Sequence, residues 1–153
     1  MRSTALAAAL ALSLAACGGG PAARVPAGQC FDPPAGQVAL LETSLEVTGG
    51  TLPVVKAVRS PRPHEGKDVY FISGEVDGEG LEGPGEIATW ATQSIGSFEA
   101  DFVAVSGLAT QVSKLPSPPE LPYTDPSYPG VRESQECVRP AQGRRAPAAD
   151  PAG

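Results

Sequence analysis

The sequence predicts an α+β domain: an N-terminal helix, a four-stranded antiparallel sheet, a C-terminal helix and then a Pro-rich irregular tail. Three observations carry this. Apolar residues recur at helical spacing over residues 37–47. Four later segments are rich in Val, Ile, Phe and Thr, and their connections are too short to hold a crossover helix, so the strands run antiparallel. After the last of them, a Ser precedes a second helical pattern.

Pro33-Pro34-Ala35-Gly36 leads into the first helix. In QVALLETSLEV, Val38, Leu41 and Leu45 follow i, i+3, i+7 and are joined by Leu40, while Glu42, Thr43 and Glu46 take the other side. Thr48-Gly49-Gly50 is the stop signal. The first strand covers residues 52–59, with Pro53 near its start, where an edge or first-strand Pro belongs. The second, residues 68–76, is the most apolar and therefore central. Residues 87–92 and 98–105 complete the sheet, with SPRPHEGK, an acidic Gly-rich loop and QSIGS as connections. Ser106 caps the second helix, in which Leu108, Val112 and Leu115 follow i, i+4, i+7. This places the domain at residues 30–115. Over residues 116–153, Pro116, Pro118, Pro119, Pro122, Pro126 and Pro129 crowd the chain and apolar positions lose their period, which reads as an irregular tail. Pro119-Glu120-Leu121-Pro122 is a P-x-x-P match, read as a spacer, and Arg144-Arg145 as solvated charge.

The chain begins MRSTALAAALALSLAAC. Arg2 is a short positive region, and the apolar run behind it is too short to span a bilayer, so residues 1–16 read as a secretory signal peptide. Leu14-Ala15-Ala16-Cys17 resembles the lipobox of bacterial lipoproteins. The resemblance implies a diacylglyceryl group with palmitate-type chains on the Cys17 thiol and cleavage that makes Cys17 the N-terminus. Two or more acyl chains hold a protein stably at the bilayer, on the extracytoplasmic face of the cell membrane. Ordinary cleavage after Ala15 or Ala16 is the rival reading. Residues 17–29 follow as a flexible tether, Cys17 and then GGGPAARVPAGQ, without apolar period.

There are three cysteines. If Cys17 takes lipid, Cys30 and Cys137 remain as a pair in an oxidising compartment, and their disulfide would tie the tail back to the domain. Two free thiols, or an intermolecular bridge through Cys137, are the alternatives.

The formal charge is −6, and Arg2 falls in the signal peptide, so the mature chain is more acidic still. No basic patch suits nucleic acid. Residues 78–83, GEGLEG, match G-x-G-x-x-G, but Gly83-Pro84-Gly85 breaks any helix start there. Glu75, Asp77, Glu79, Glu82 and Glu86 surround the glycines, and a pyrophosphate would meet repulsion. The loop reads as a solvated connection between two strands. Asp77, Glu79, Glu82 and Glu86 are weak candidates for calcium, since they offer hard oxygens in a Gly-rich turn, although Leu81 falls on a ligand position of the EF-hand order.

No catalytic set has the right spacing. His64 is the single histidine, between Pro63 and Glu65, and there is no G-x-S-x-G elbow. Trp90 is read first as core, and second, with Tyr70, as the wall of a ligand pocket on the sheet. No cofactor is expected.

The segments VYFISGEVDGEGLEGPGEIATWAT and SFEADFVAVSGLATQVS resemble a group of small, uncharacterised actinobacterial lipoproteins and exported proteins. The resemblance covers about half of the mature chain and implies no activity, ligand or site residue. The resulting expectation is a lipid-anchored envelope lipoprotein, not an enzyme, that binds an envelope protein or a small ligand. The alternatives are a ligand-binding accessory lipoprotein with a pocket on the sheet and a hydrolase with an unrecognised site.

Overall fold

The computed structural model describes residues 25–81, 85–97 and 100–142. Its elements are β1 (Cys30–Phe31), α1 (Ala35–Ser44), β2 (Thr51–Arg59), β3 (Tyr70–Asp77), β4 (Ile87–Thr92), β5 (Val103–Ala104), α2 (Gly107–Val112), a 3-10 turn (Pro122–Thr124) and α3 (Val131–Gln142). The strands form one antiparallel sheet in chain order, β1-β2-β3-β4-β5. The α+β class and the antiparallel sheet agree with the sequence reading. The expected four strands are corrected to five, and of the strand expected over 98–105 only Val103–Ala104 is strand among the described residues.

The added strand, β1, is short for a chemical reason. Cys30 lies opposite Val58 and Phe31 opposite Ala57, so continuing that register would put Pro33 opposite Val55. Proline has no N–H to give to the ladder, and the chain turns off into α1 instead. At the centre of the sheet, every residue of β3 except Asp77 is buried, Ser73 and Glu75 included, and its apolar start Tyr70-Phe71-Ile72 suits a strand covered on both faces.

α1 begins two residues before the expected span and stops three before it. Gln37, Leu41 and Ser44 form its buried face, and Leu40, expected among them, is 38% exposed. Gln37 reaches inward because its Nε2 donates to the carbonyls of Ser94 (2.7 Å) and Ser97 (3.3 Å). The helix ends at Ser44 because the next residues find better backbone partners. Glu46 N–H donates to Val112 O (2.8 Å) and Lys114 N–H to Ser44 O (3.0 Å), pinning the end of α1 to the end of α2. Ser106 caps α2 as expected, accepting from Ala109 N–H at 3.1 Å.

One face of the sheet carries Ala57, Ile72, Ala88, Trp90 and Ala104, packed with Leu41 of α1 and Ala109 and Val112 of α2. The opposite face carries Phe71, Ala91, Val103 and Val105, and it is covered by Tyr123, Tyr128 and Val131. The irregular tail of the sequence reading is therefore corrected: within 116–142 it is a second covering layer that ends in a helix. Chain entry into α3 is tight. Gly130 has φ +108°, and a Cβ there would sit 2.8 Å from Phe71 Cδ2.

α3 docks through hydroxyls as much as through hydrocarbon. Val131, Ser134 and Val138 are its fully covered positions. Ser134 Oγ donates to Val131 O (2.7 Å), so it accepts from Ser73 Oγ (2.7 Å). Ser73 in turn accepts from Thr89 Oγ1 (2.8 Å), which accepts from Gln135 Nε2 (3.1 Å). Each of the three hydroxyl protons has an acceptor, which offsets the cost of taking these groups out of water. Cys30 and Cys137 form a disulfide, with Cα atoms 5.9 Å apart, joining the edge strand β1 to α3. Among the described residues, no helix is long and apolar enough to cross a membrane.

Candidate functional site

Two surface depressions bear on function. The larger, about 520 Å³, lies where the loop after α1 meets the acidic Gly-rich loop and α2. Glu46, Glu79 and Glu86 rim it, and Val47, Leu81 and Leu108 form its apolar wall. The loop is tied down at its start: Glu79 N–H donates to Thr48 O (3.0 Å), and Val76 N–H to Glu86 O (3.0 Å). Gly78 permits the approach, since a Cβ there would fall 2.3 Å from Val47 Cγ1.

Of the four calcium candidates, Glu79 and Glu86 reach this cleft. Asp77 is exposed at the end of β3 and does not line it, and Glu82 lies outside the described residues. Among the described residues, no three His, Cys, Asp or Glu side chains gather closely enough to hold a metal ion. Glu46 and Gln111, which join the cleft from α1's exit and from α2, carried no signal in the sequence, because only the fold brings them to the loop.

The second depression is a groove of about 350 Å³ beside β2, between its outer edge and α1. Ala35, Val38, Leu52 and Val55 line it, flanked by Asp32 and Glu42. Glu42 Oε1 accepts from Leu52 N–H at 3.0 Å, holding α1 to the start of β2. Lys56, on the other face of the strand, pairs with Asp32.

Trp90 occupies the first of its two expected roles. It is fully buried, and its Nε1–H donates to Ser113 Oγ at 3.2 Å. Tyr70 is 8% exposed and meets Phe31 edge-on at 6.3 Å. Neither ring faces solvent, because helices cover that side of the sheet. Neither side chain lines either of the two depressions described above.

His64 is half-buried, edge-on to Tyr123 at 5.3 Å, with its Nε2 4.0 Å from Glu65 Oε1. Burial, then the charges of Glu65 and Asp101, then Tyr128, hold the Tyr123 hydroxyl pKa above its ordinary value. Comparison with protein-family models, curated proteins and solved structures finds no match for this chain. The functional reading therefore rests on the residues themselves. Cys17, the expected signal peptide at 1–16, most of the expected 17–29 tether and Arg144-Arg145 lie outside the described residues.

Proposed function

We propose that this chain is a lipid-anchored envelope lipoprotein whose folded domain has a non-enzymatic binding or interaction role on the extracytoplasmic face of the membrane. The observation that carries the reading is the Cys30–Cys137 disulfide. A bridge that closes most of the fold supports an oxidising compartment, and with it export. It also commits two of the three cysteines, which leaves Cys17, behind its lipobox-like LAA, for the acyl anchor. Both faces of the sheet are covered, and the two depressions described above are open grooves. Such a surface favours contact with another macromolecule over enclosure of a small one.

Mass spectrometry of the full-length chain extracted from membranes tests this. An acylated N-terminal Cys17 is the expected species, and Cys17→Ala should move the protein to the soluble fraction. A Cys17→Ala protein that stays equally membrane-bound overturns the anchor. Turnover of ester, amide, glycoside or phosphoester substrates in a hydrolase panel overturns the non-enzymatic role.

A further inference from the structure

We propose that the Cys30–Cys137 bridge is a site of thiol–disulfide exchange, entered at Cys30 by a protein dithiol, and that reduction there frees the end of α3. The proposal goes beyond the interaction role above and does not depend on acylation of Cys17.

The two half-cystines differ in access. Cys30 is exposed on the two-residue strand β1, while Cys137 is half-buried in the middle of α3. Both line a third depression, of about 400 Å³, with Gly28 and Lys56 on the sheet side and Glu136 and Pro140 on the helix side. The sheet-side wall is held in place: Gly28 N–H donates to Arg59 O at 3.0 Å, and Ala27 forms a bridge with Arg59. That wall is also low, since a Cβ built on Gly28 would meet nothing within 4 Å. The approach to Cys30 therefore passes over a glycine with free space beside it. A thiolate exchanges with a sulfur it can reach, and exposed bridges are the labile ones in folded proteins. Access decides here, because the charged side chains of the rim already have partners. Lys56 pairs with Asp32, Glu136 with Arg132, and Glu133 accepts from Gly130 N–H.

The exchange balances with the dithiol as reductant. Its first thiolate attacks Cys30 Sγ, a new sulfur–sulfur bond forms there, and the electron pair of the old bond leaves with Cys137 Sγ, which takes a proton from water. The second thiol of the dithiol then attacks the first, and Cys30 departs as a thiol. The partner leaves oxidised, and this chain has gained two electrons and two protons. What the step releases is local. The start of α3 stays fixed by Val131 and by Ser134, which bonds to Ser73. Beyond them, Val138 is the fully covered residue, Gln135 reaches Thr89, and Arg139 and Pro140 are exposed. The bridge is the main restraint on that end.

The test uses the oxidised full-length chain in detergent micelles. Reduction by dithiothreitol should be first order in the thiol and change less than about twofold on adding about 1 M urea, because no unfolding precedes attack. A bridge reached only through unfolding would be reduced at least about fivefold faster in that urea. Thioredoxin with its second active-site cysteine replaced by serine should be trapped on the folded chain. Peptide mapping after alkylation should find it on Cys30, with the alkyl group on Cys137. In the reduced chain, amides after Ser134 should exchange faster while those of β3 stay protected. Reduction that follows urea as unfolding does, no trapped adduct, an adduct on Cys137, or an equal loss of protection in β3 each overturns the proposal. None of these outcomes bears on acylation of Cys17, so the anchor stands or falls by its own experiment.

Discussion

Replacing Cys30 and Cys137 together by Ser removes the bridge without leaving a free thiol. The half-cystines are 107 residues apart. In the chain-entropy model, closing a loop of that size removes about 4.7 kcal/mol of unfolded-state freedom. The structure argues that little of this is recovered elsewhere. α3 is a 12-residue helix with Pro140 inside it, a length that is marginal alone in water. Its fully covered apolar anchors are Val131 and Val138, each worth about 1.5–3 kcal/mol of burial. A loss of about 3–5 kcal/mol is expected. The described residues would unfold with an entropy of about 0.25 kcal/mol/K, so Tm should fall by about 12–20 °C in calorimetry. The denaturant slope should rise, because the open chain exposes more surface on unfolding. Hydrogen exchange locates the effect: α3 amides should lose protection before those of β3. A fall in Tm below about 4 °C, about 1 kcal/mol on this scale, or α3 amides as protected as β3 in the double variant, would refute the reasoning.

Gly130→Ala forces a Cβ against Phe71 at φ +108° and should destabilise by about 2–4 kcal/mol in urea unfolding, from overpacking and backbone strain together. Ser73→Ala strips Thr89 of its acceptor and Ser134 of its donor, costing about 1–3 kcal/mol. Adding Thr89→Val should cost less than the two single changes summed, because no orphaned hydroxyl remains at position 89. The raised pKa of Tyr123 contributes stability that is fully present below the unfolded value near 10. That stability is lost as pH rises through the folded pKa. Absorbance titration, compared between the wild type and Tyr123→Phe, should show the Tyr123 tyrosinate forming above its ordinary pH. Tyr123→Phe should flatten the alkaline fall in stability.

The three long strands were legible because they alternate or run apolar between unmistakable turns, and Ser106 announced α2 by side-chain chemistry alone. α3 was hidden for a physical reason. Its docking face is Val131, Ser134 and Val138, and a helix that meets the sheet partly through hydroxyls leaves no apolar period. The density of proline just upstream then suggested an irregular tail. One local sign was present: Glu133 reaches back to Gly130 N–H at 3.0 Å, half of a capping box. The burial of Gln37 in place of Leu40 was equally unreadable, because its partners, Ser94 and Ser97, arrive from a distant loop. β1 rests on two residues, fewer than any periodicity can register. Of the acidic cleft, Glu79 and Glu86 were nominated from their loop, while Glu46 required the third dimension.

The Cys30–Cys137 bridge also sets how the domain would bear a mechanical load. A pull between the segment before Val25 and the segment after Gln142 enters at residues 25–30, crosses the sulfur–sulfur bond and leaves through residues 137–142. Everything from Phe31 to Glu136 lies in a covalent side loop that carries no tension. A two-residue edge strand would otherwise unzip under such a force, taking the sheet with it. With the bridge intact, only the last part of α3 and the few residues before Cys30 lengthen. A protein tugged by one end would keep its sheet, its acidic cleft and its β2 groove in working shape, and reduction would turn the same pull into unravelling.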